Sequence, residues 1–265
     1  MNDSDKLMQE ILAQVSARIK ADWEALSSAH GREVSFDEYA AWVLDTVYTN
    51  AVNSEKKQIS LEDQDYLAAI FGRMFHEAYC NGRRLPEKNE QGLPNNPRIK
   101  DLTEPIDEIF VSQVLSGEIP QSVTLFVQDG VVKLDIANTQ FENLSPHWQL
   151  ENFDAGTAAV QAVITNYEGL TSNNPETREK VEIAAANGIH TAWYFRNRAG
   201  WNRVLHTAYA YLPEDEQIKD MVHVQMSRDV LGRVVAGLNK IKANGPTGGE
   251  GPAGGEGPAG GPGMS

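Results

Sequence analysis

A chain that keeps restarting helices is confined to packings of helices, and this one gives the signal six times. Ser35 is followed by Glu38, the two ends of a capping box, with Val34 and Tyr39 placed to staple across it. Ser60 and Asp63 repeat the arrangement. Pro105, Ser145-Pro146, Asn174-Pro175 and Leu212-Pro213 each put a proline at a first turn, where the missing N–H is no loss and the fixed φ suits a helix. Apolar stripes at steps of three and four run behind these signals. Over 4–28 the stripe is Leu7, Ile11, Val15, Ile19, Trp23 and Leu26, closed by Gly31. After Ser35 it is Tyr39, Ala40, Val43, Leu44, Val47 and Ala51; after Ser60 it is Leu67, Ile70, Phe71, Met74, Phe75 and Ala78. Further helices are expected at about 105–116, 146–166, 175–197 and 213–241, the third of these burying Val181, Ile183, Ala184, Ile189 and Trp193.

One β element interrupts the pattern. Val123, Leu125 and Val127 alternate, as do Val132, Leu134 and Ile136, and Asp129-Gly130 between them tolerates the positive φ of a type I′ turn. A two-stranded hairpin needs helices to pack against. The fold class is therefore mainly α: a helical bundle plus a helical module with one β-hairpin. The expected divisions are an N-terminal bundle at 1–82, a Pro-rich linker or long ordered loop at 83–105, the hairpin with its helical module at 106–242, and a tail at 243–265. From Gly245 on, Gly opens seven consecutive triplets, the collagen period. Imino acid is too sparse for a stable triple helix, so the tail is expected to be disordered. Trimerisation through it is the other reading, and would make the protein a homo-oligomer.

Charge limits the partners. A formal net charge of −14 opposes a phosphate-neutralising surface, so neither nucleic acid nor an anionic membrane is an expected partner. No apolar run reaches membrane-spanning length and no secretory signal opens the chain, which predicts a cytoplasmic protein, or a virion-associated one if phage-encoded. The lone Cys80 has no partner for an internal disulfide.

The acidic composition has one conspicuous gap. No Asp or Glu occurs between Glu182 and Glu214. Within it lie Arg196, Arg198 and Arg203, interleaved with Trp193, Tyr194, Phe195, Trp201, Tyr209 and Tyr211, and with His190 and His206. Aromatic faces beside guanidinium groups suit a flat anionic ligand, by stacking and by charge-assisted hydrogen bonds. The same pattern also fits aromatics in a core and arginines on a solvated face.

The chain also echoes itself. Residues 139–152 align without gaps on 207–220 at a constant offset of 68, matching Thr139 with Thr207, Phe141 with Tyr209, Leu144 with Leu212, Gln149 with Gln217 and Asn152 with Asp220. A shorter echo links 75–84 with 189–198 through His-x-Ala-aromatic and a following Arg. Short helix-start signals recur by chance, so duplication and coincidence both stand at this level.

Ile189-His190-x-Ala-Trp193 with Arg196 and Asn197, then Tyr209-Ala-x-Leu-Pro-Glu-Asp-Glu-Gln-x-Lys-Asp220, resembles the RyR domain, the small repeated module named after ryanodine receptors. The likeness covers roughly 135–230. Gly200-Trp201 stands for the family's Gly-Trp, and the likeness departs where Glu216-Gln217 stands for its first Lys-Asp step. The resemblance implies a helical module and, from the channel, an adenine nucleotide held among aromatics. Trp193 or Trp201 would stack on the base, Arg196, Arg198 or Arg203 would meet phosphate, His190 would cap a helix or bond the ligand, and Tyr209 would close the pocket.

Catalytic patterns are not evident. His76-Glu77 lacks the second His of a zinc-protease helix, no Gly-rich loop precedes a helix, no Gly-x-Ser-x-Gly occurs, and Cys80 has only His76 nearby in sequence. His190, His206 and His223 hold no metal-ligand spacing. The expected function is a non-catalytic ligand-binding or interaction module with no cofactor or metal. The alternative is an assembly protein displaying the Gly-rich tail.

Overall fold

A computed structural model describes residues 3–197 and 205–244, and the chain forms seven α-helices and a small sheet among them. The helices are α1 (Asp3–His30), α2 (Phe36–Asn53), α3 (Leu61–Gly82), α4 (Glu108–Ser116), α5 (Pro146–Leu170), α6 (Pro175–Arg196) and α7 (Glu214–Asn244). The box at Ser35 forms in full; at Ser60 only half of it does, the Asp63 carboxylate accepting from the Ser60 hydroxyl instead of its N–H. Ser35 accepts from the Glu38 N–H while Glu38 accepts from the Ser35 N–H, and Ser60 accepts from the Asp63 N–H. Asn174 accepts from the N–H groups of Glu176 and Thr177. Gly31 and Gly117, both at positive φ, end α1 and α4.

The centre of the molecule is the crossing of α3 and α5. An added Cβ on Gly156 would lie 2.0 Å from the Ala68 carbonyl oxygen, and one on Gly72 would lie 2.7 Å from that of Asn152. The two backbones touch there, and only glycine permits it. Around this crossing Phe71, Phe75, Phe153, Val160, Val163 and Leu231 share one continuous core drawn from α1, α2, α3, α5, α6 and α7. The expected division at residue 82 is therefore not a division of the core. Ile183, expected inside, is exposed; α6 instead buries Ala185, Ala186, Ile189 and His190.

The Pro-rich stretch does more than connect. It is ordered, with Arg84 bridged to Asn95, and it ends in β1 (Ile99–Asp101). β1 pairs antiparallel with β3 (Val131–Asp135), which pairs with β2 (Leu125–Gln128), so the expected hairpin is completed to three strands in the order β1-β3-β2. Asp129 and Gly130 both take positive φ in the turn. Leu102, Val114, Leu125, Val132 and Leu134 make a second, smaller core under this sheet. Asp107, fully buried, ties the unit to α5: its carboxylate accepts from the Ser145 hydroxyl and the His147 N–H, capping α5 from a distance.

Gly156→Ala is expected to cost about 2 kcal/mol or more, since a methyl there meets backbone that cannot yield. Gly188→Ala, whose methyl meets nothing within 4 Å, is expected to gain about 0.5–1 kcal/mol. Urea denaturation of the two variants checks both signs.

Candidate functional site

The gap in the acidic pattern falls where α6 ends and α7 begins. Asn174 caps the start of α6, and near its other end Ile189 and His190 turn inward, His190 being 6% exposed. Its Nε2 lies 2.9 Å from the Thr207 carbonyl oxygen. Thr207 precedes a 3-10 turn, Tyr209–Tyr211, after which α7 starts. The Tyr209 hydroxyl donates to the Gln217 carbonyl at 3.1 Å, and the Gln217 amide donates back to the Leu212 carbonyl at 2.9 Å. One imidazole thus clasps the end of one helix to the start of the next.

The same clasp is built a second time. His76 of α3 places Nε2 2.8 Å from the Thr139 carbonyl oxygen; a 3-10 turn follows at Phe141–Asn143, then α5, with Gln149 donating to the Leu144 carbonyl at 3.2 Å. The ring of His76 meets Phe141 at 6.2 Å and 56°, and that of His190 meets Tyr209 at 6.3 Å and 55°. Helices α3 and α6 are both 22 residues long, begin after a side-chain N-cap and carry their His at the same position. The sequence echo is therefore a structural repeat: α3, turn and α5 answer α6, turn and α7.

Features shared by both copies hold the frame, and the differences are what each copy adds. The second copy has Trp193 where the first has Tyr79, Asp220 for Asn152 and His223 for Ala155. These three converge with His190, Leu205 and Leu212 on a cavity of about 190 Å3. The Trp193 ring lies 5.8 Å from His190 and 5.5 Å from His206, whose Nε2 sits 2.8 Å from the Asn197 carbonyl oxygen. The Asp220 carboxylate is 3.6 Å from His190 Nδ1. Burial, joined by repulsion from Glu216 against attraction from Lys219, pushes the Asp220 carboxyl up to about 7. Burial pushes the His223 imidazole, stacked 4.0 Å from Phe75, down to about 4, and its Nδ1 has no hydrogen-bond partner.

Of the residues expected at the site, His190, Trp193 and Tyr209 are brought together. Arg198, Trp201 and Arg203 lie outside the described residues, as does the side chain of Arg196, the last residue of α6. Asp220 and His223 are the additions, and only the comparison of the two copies singles them out. An aromatic–Arg arrangement does form elsewhere. The Arg73 guanidinium lies 4.1 Å from the Phe36 ring centre and 4.9 Å from that of Trp23, held by Glu77 and Glu142. It escapes sequence reading because its parts come from four separate segments. Cys80 Sγ lies 3.5 Å from His76 Nε2, but burial pushes the thiol up to about 11 and His76 is held by Thr139, so no activated thiolate results.

Among the described residues no three His, Cys, Asp or Glu side chains could hold a metal ion, and no helix is long and apolar enough to cross a membrane. The chain matches no protein-family model, no curated protein and no solved structure.

The two displaced groups predict a compensated pH response. Ordinary values are about 3.9 for Asp and about 6.5 for His. Between about pH 4 and 6.5 the folded pair carries its one proton on Asp220, and the unfolded pair carries one on His223. Proton number is equal in the two states, so the pair adds no slope there. Asp220→Asn leaves His223 alone, and stability should fall as pH drops from about 6.5 towards 4. His223→Gln leaves Asp220 alone, and stability should fall as pH rises from about 4 to 7. Urea midpoints across this range give the slopes; parallel profiles in both variants would contradict the assignment.

Proposed function

We propose that the chain is a non-catalytic ligand-binding module built from two RyR-like repeats, in which the second repeat carries the site. The observation behind this reading is the difference between the copies: on a frame both share, the second alone adds an indole, a carboxyl and an imidazole around one concavity. Strongly displaced titration of groups within a cleft is a mark of functional sites. The ligand proposed is nucleotide-like. Its flat ring would lie on Trp193, and Asp220, able near neutral pH to donate or accept, would meet the ring's polar edge. A volume of about 190 Å3 suits the ring alone, so the anionic remainder would reach outside the cavity. Arg196, Arg198 and Arg203 are the cations the sequence offers it. Phe195 at 60% exposure and Tyr211 at 80% leave further apolar surface beside the helix ends.

A second reading, assembly through the Gly-rich tail, is favoured by the seven triplets of the sequence and by nothing in the helical part.

Thermal unfolding of the full chain with adenine nucleotides and ADP-ribose separates the two. Ligand at 100 times its dissociation constant should add about 2.7 kcal/mol of stability, a rise of several degrees. The shift should be lost in Trp193→Ala and in Asp220→Asn, which restores the first repeat's residue type, and the nucleotide should be recovered unchanged. No shift with any compound at millimolar concentration would sink the binding reading. Trimers in solution that disappear on removal of residues 245–265 would support assembly.

A further inference from the structure

Away from the Trp193 cluster, a cleft of about 640 Å3 opens between the end of α5, the first turns of α6 and the middle of α7. Three arginines line it, Arg178 from α6 and Arg228 and Arg233 from α7, in a chain with 37 acidic and 23 basic side chains. Arg228 is more than neutralised: Glu182 pairs with one nitrogen and Asp229, at 2.8 Å, with another, so the trio carries one net negative charge. Arg178 and Arg233 are exposed and make neither ion pair nor side-chain hydrogen bond among the described residues. Two uncommitted guanidinium groups from different helices therefore border one concavity.

The floor of the cleft carries a second sign. Gly232 sits in the middle of α7 with an ordinary helical φ, where glycine costs about 1 kcal/mol relative to alanine. No tight crossing requires it: an added Cβ would stand 3.5 Å from the Tyr167 ring, an ordinary contact. Gly72 and Gly156 are imposed by touching backbones; Gly232 is not, and its effect is to leave the cleft open beside Tyr167.

We infer that this cleft binds the phosphate group of a small phosphorylated molecule. A carboxylate is satisfied by the fork of one arginine, whereas two forks on different walls suit an anion with three or more acceptor oxygens. The volume accommodates a ligand larger than phosphate alone. The carbonyl end of α5 at Leu170 and Thr171 opposes an anion, as does the net negative charge of Glu182, Asp229 and Arg228; the two free guanidinium charges outweigh that charge and the half-charge of a helix terminus together. The inference is independent of the ligand proposed at Trp193.

Isothermal titration of the full chain with inorganic phosphate and with pyrophosphate tests it. Saturable one-site binding is expected, stronger for pyrophosphate and weaker as salt rises. Arg178→Ala and Arg233→Ala should each lower affinity by about tenfold, the loss of one charge-assisted pair. Both positions are exposed, so neither variant should disturb the fold. Gly232→Leu should fill the floor and abolish binding while thermal unfolding stays cooperative. Asp220→Asn should bind normally, which separates this cleft from the Trp193 site, and so should Lys180→Ala, which removes a nearby exposed charge paired with Glu176. Absence of saturation, equal loss in Lys180→Ala, or full affinity in both arginine variants would overturn the inference.

Discussion

The backbone contact between α3 and α5 is the constraint on which the rest of the fold depends. With Ala68, Gly72 and Gly156 at the crossing, the two helices approach closer than side chains normally allow. That closeness places His76 near the start of α5, so that the segment leading into α5 can be clasped at Thr139. It also puts α5 in the middle of the molecule, packed against α3, α6 and α7. The second copy meets its own geometry with Ala186 and Val224 at the positions of Gly72 and Gly156. The repeats are therefore alike in their clasps and unlike in how closely their helices cross.

The recurrence of the clasp makes the molecule its own comparison. A buried histidine bonded to a backbone carbonyl beside an aromatic ring could be read as a ligand site when seen once. Seen twice, with the first copy lacking Trp193, Asp220 and His223, it reads as architecture. The chemistry then rests on the few side chains that one copy has and the other does not.

Much of the fold was legible in the sequence because its signals are local. Side-chain caps, prolines at first turns and the Asp129-Gly130 turn act within a few residues, and α2, α3, α5, α6 and α7 start where they stand. β1 was not legible: three residues beside a proline have no period of their own, and their strand character comes from pairing with β3. Ile183 illustrates the limit of stripes, since the face of α6 that turns inward is chosen by small alanines fitting α5 and α7 rather than by the largest apolar side chain. At the site, the sequence placed His190, Trp193 and Tyr209 in one neighbourhood but did not join Asp220 and His223 to them. Their unusual protonation arises from burial, which no local pattern encodes.

The two clasps close loops of very different size. His76 and Thr139 are 63 residues apart, with a sheet and a helix between them; His190 and Thr207 are 17 apart. Loop-closure entropy grows only with the logarithm of length, so the longer excursion costs about 1 kcal/mol more than the shorter. An anchor that holds both ends so firmly makes the intervening chain a port, open to whole domains without disturbing the helices that carry it. The sheet unit is in that sense a passenger of the first repeat.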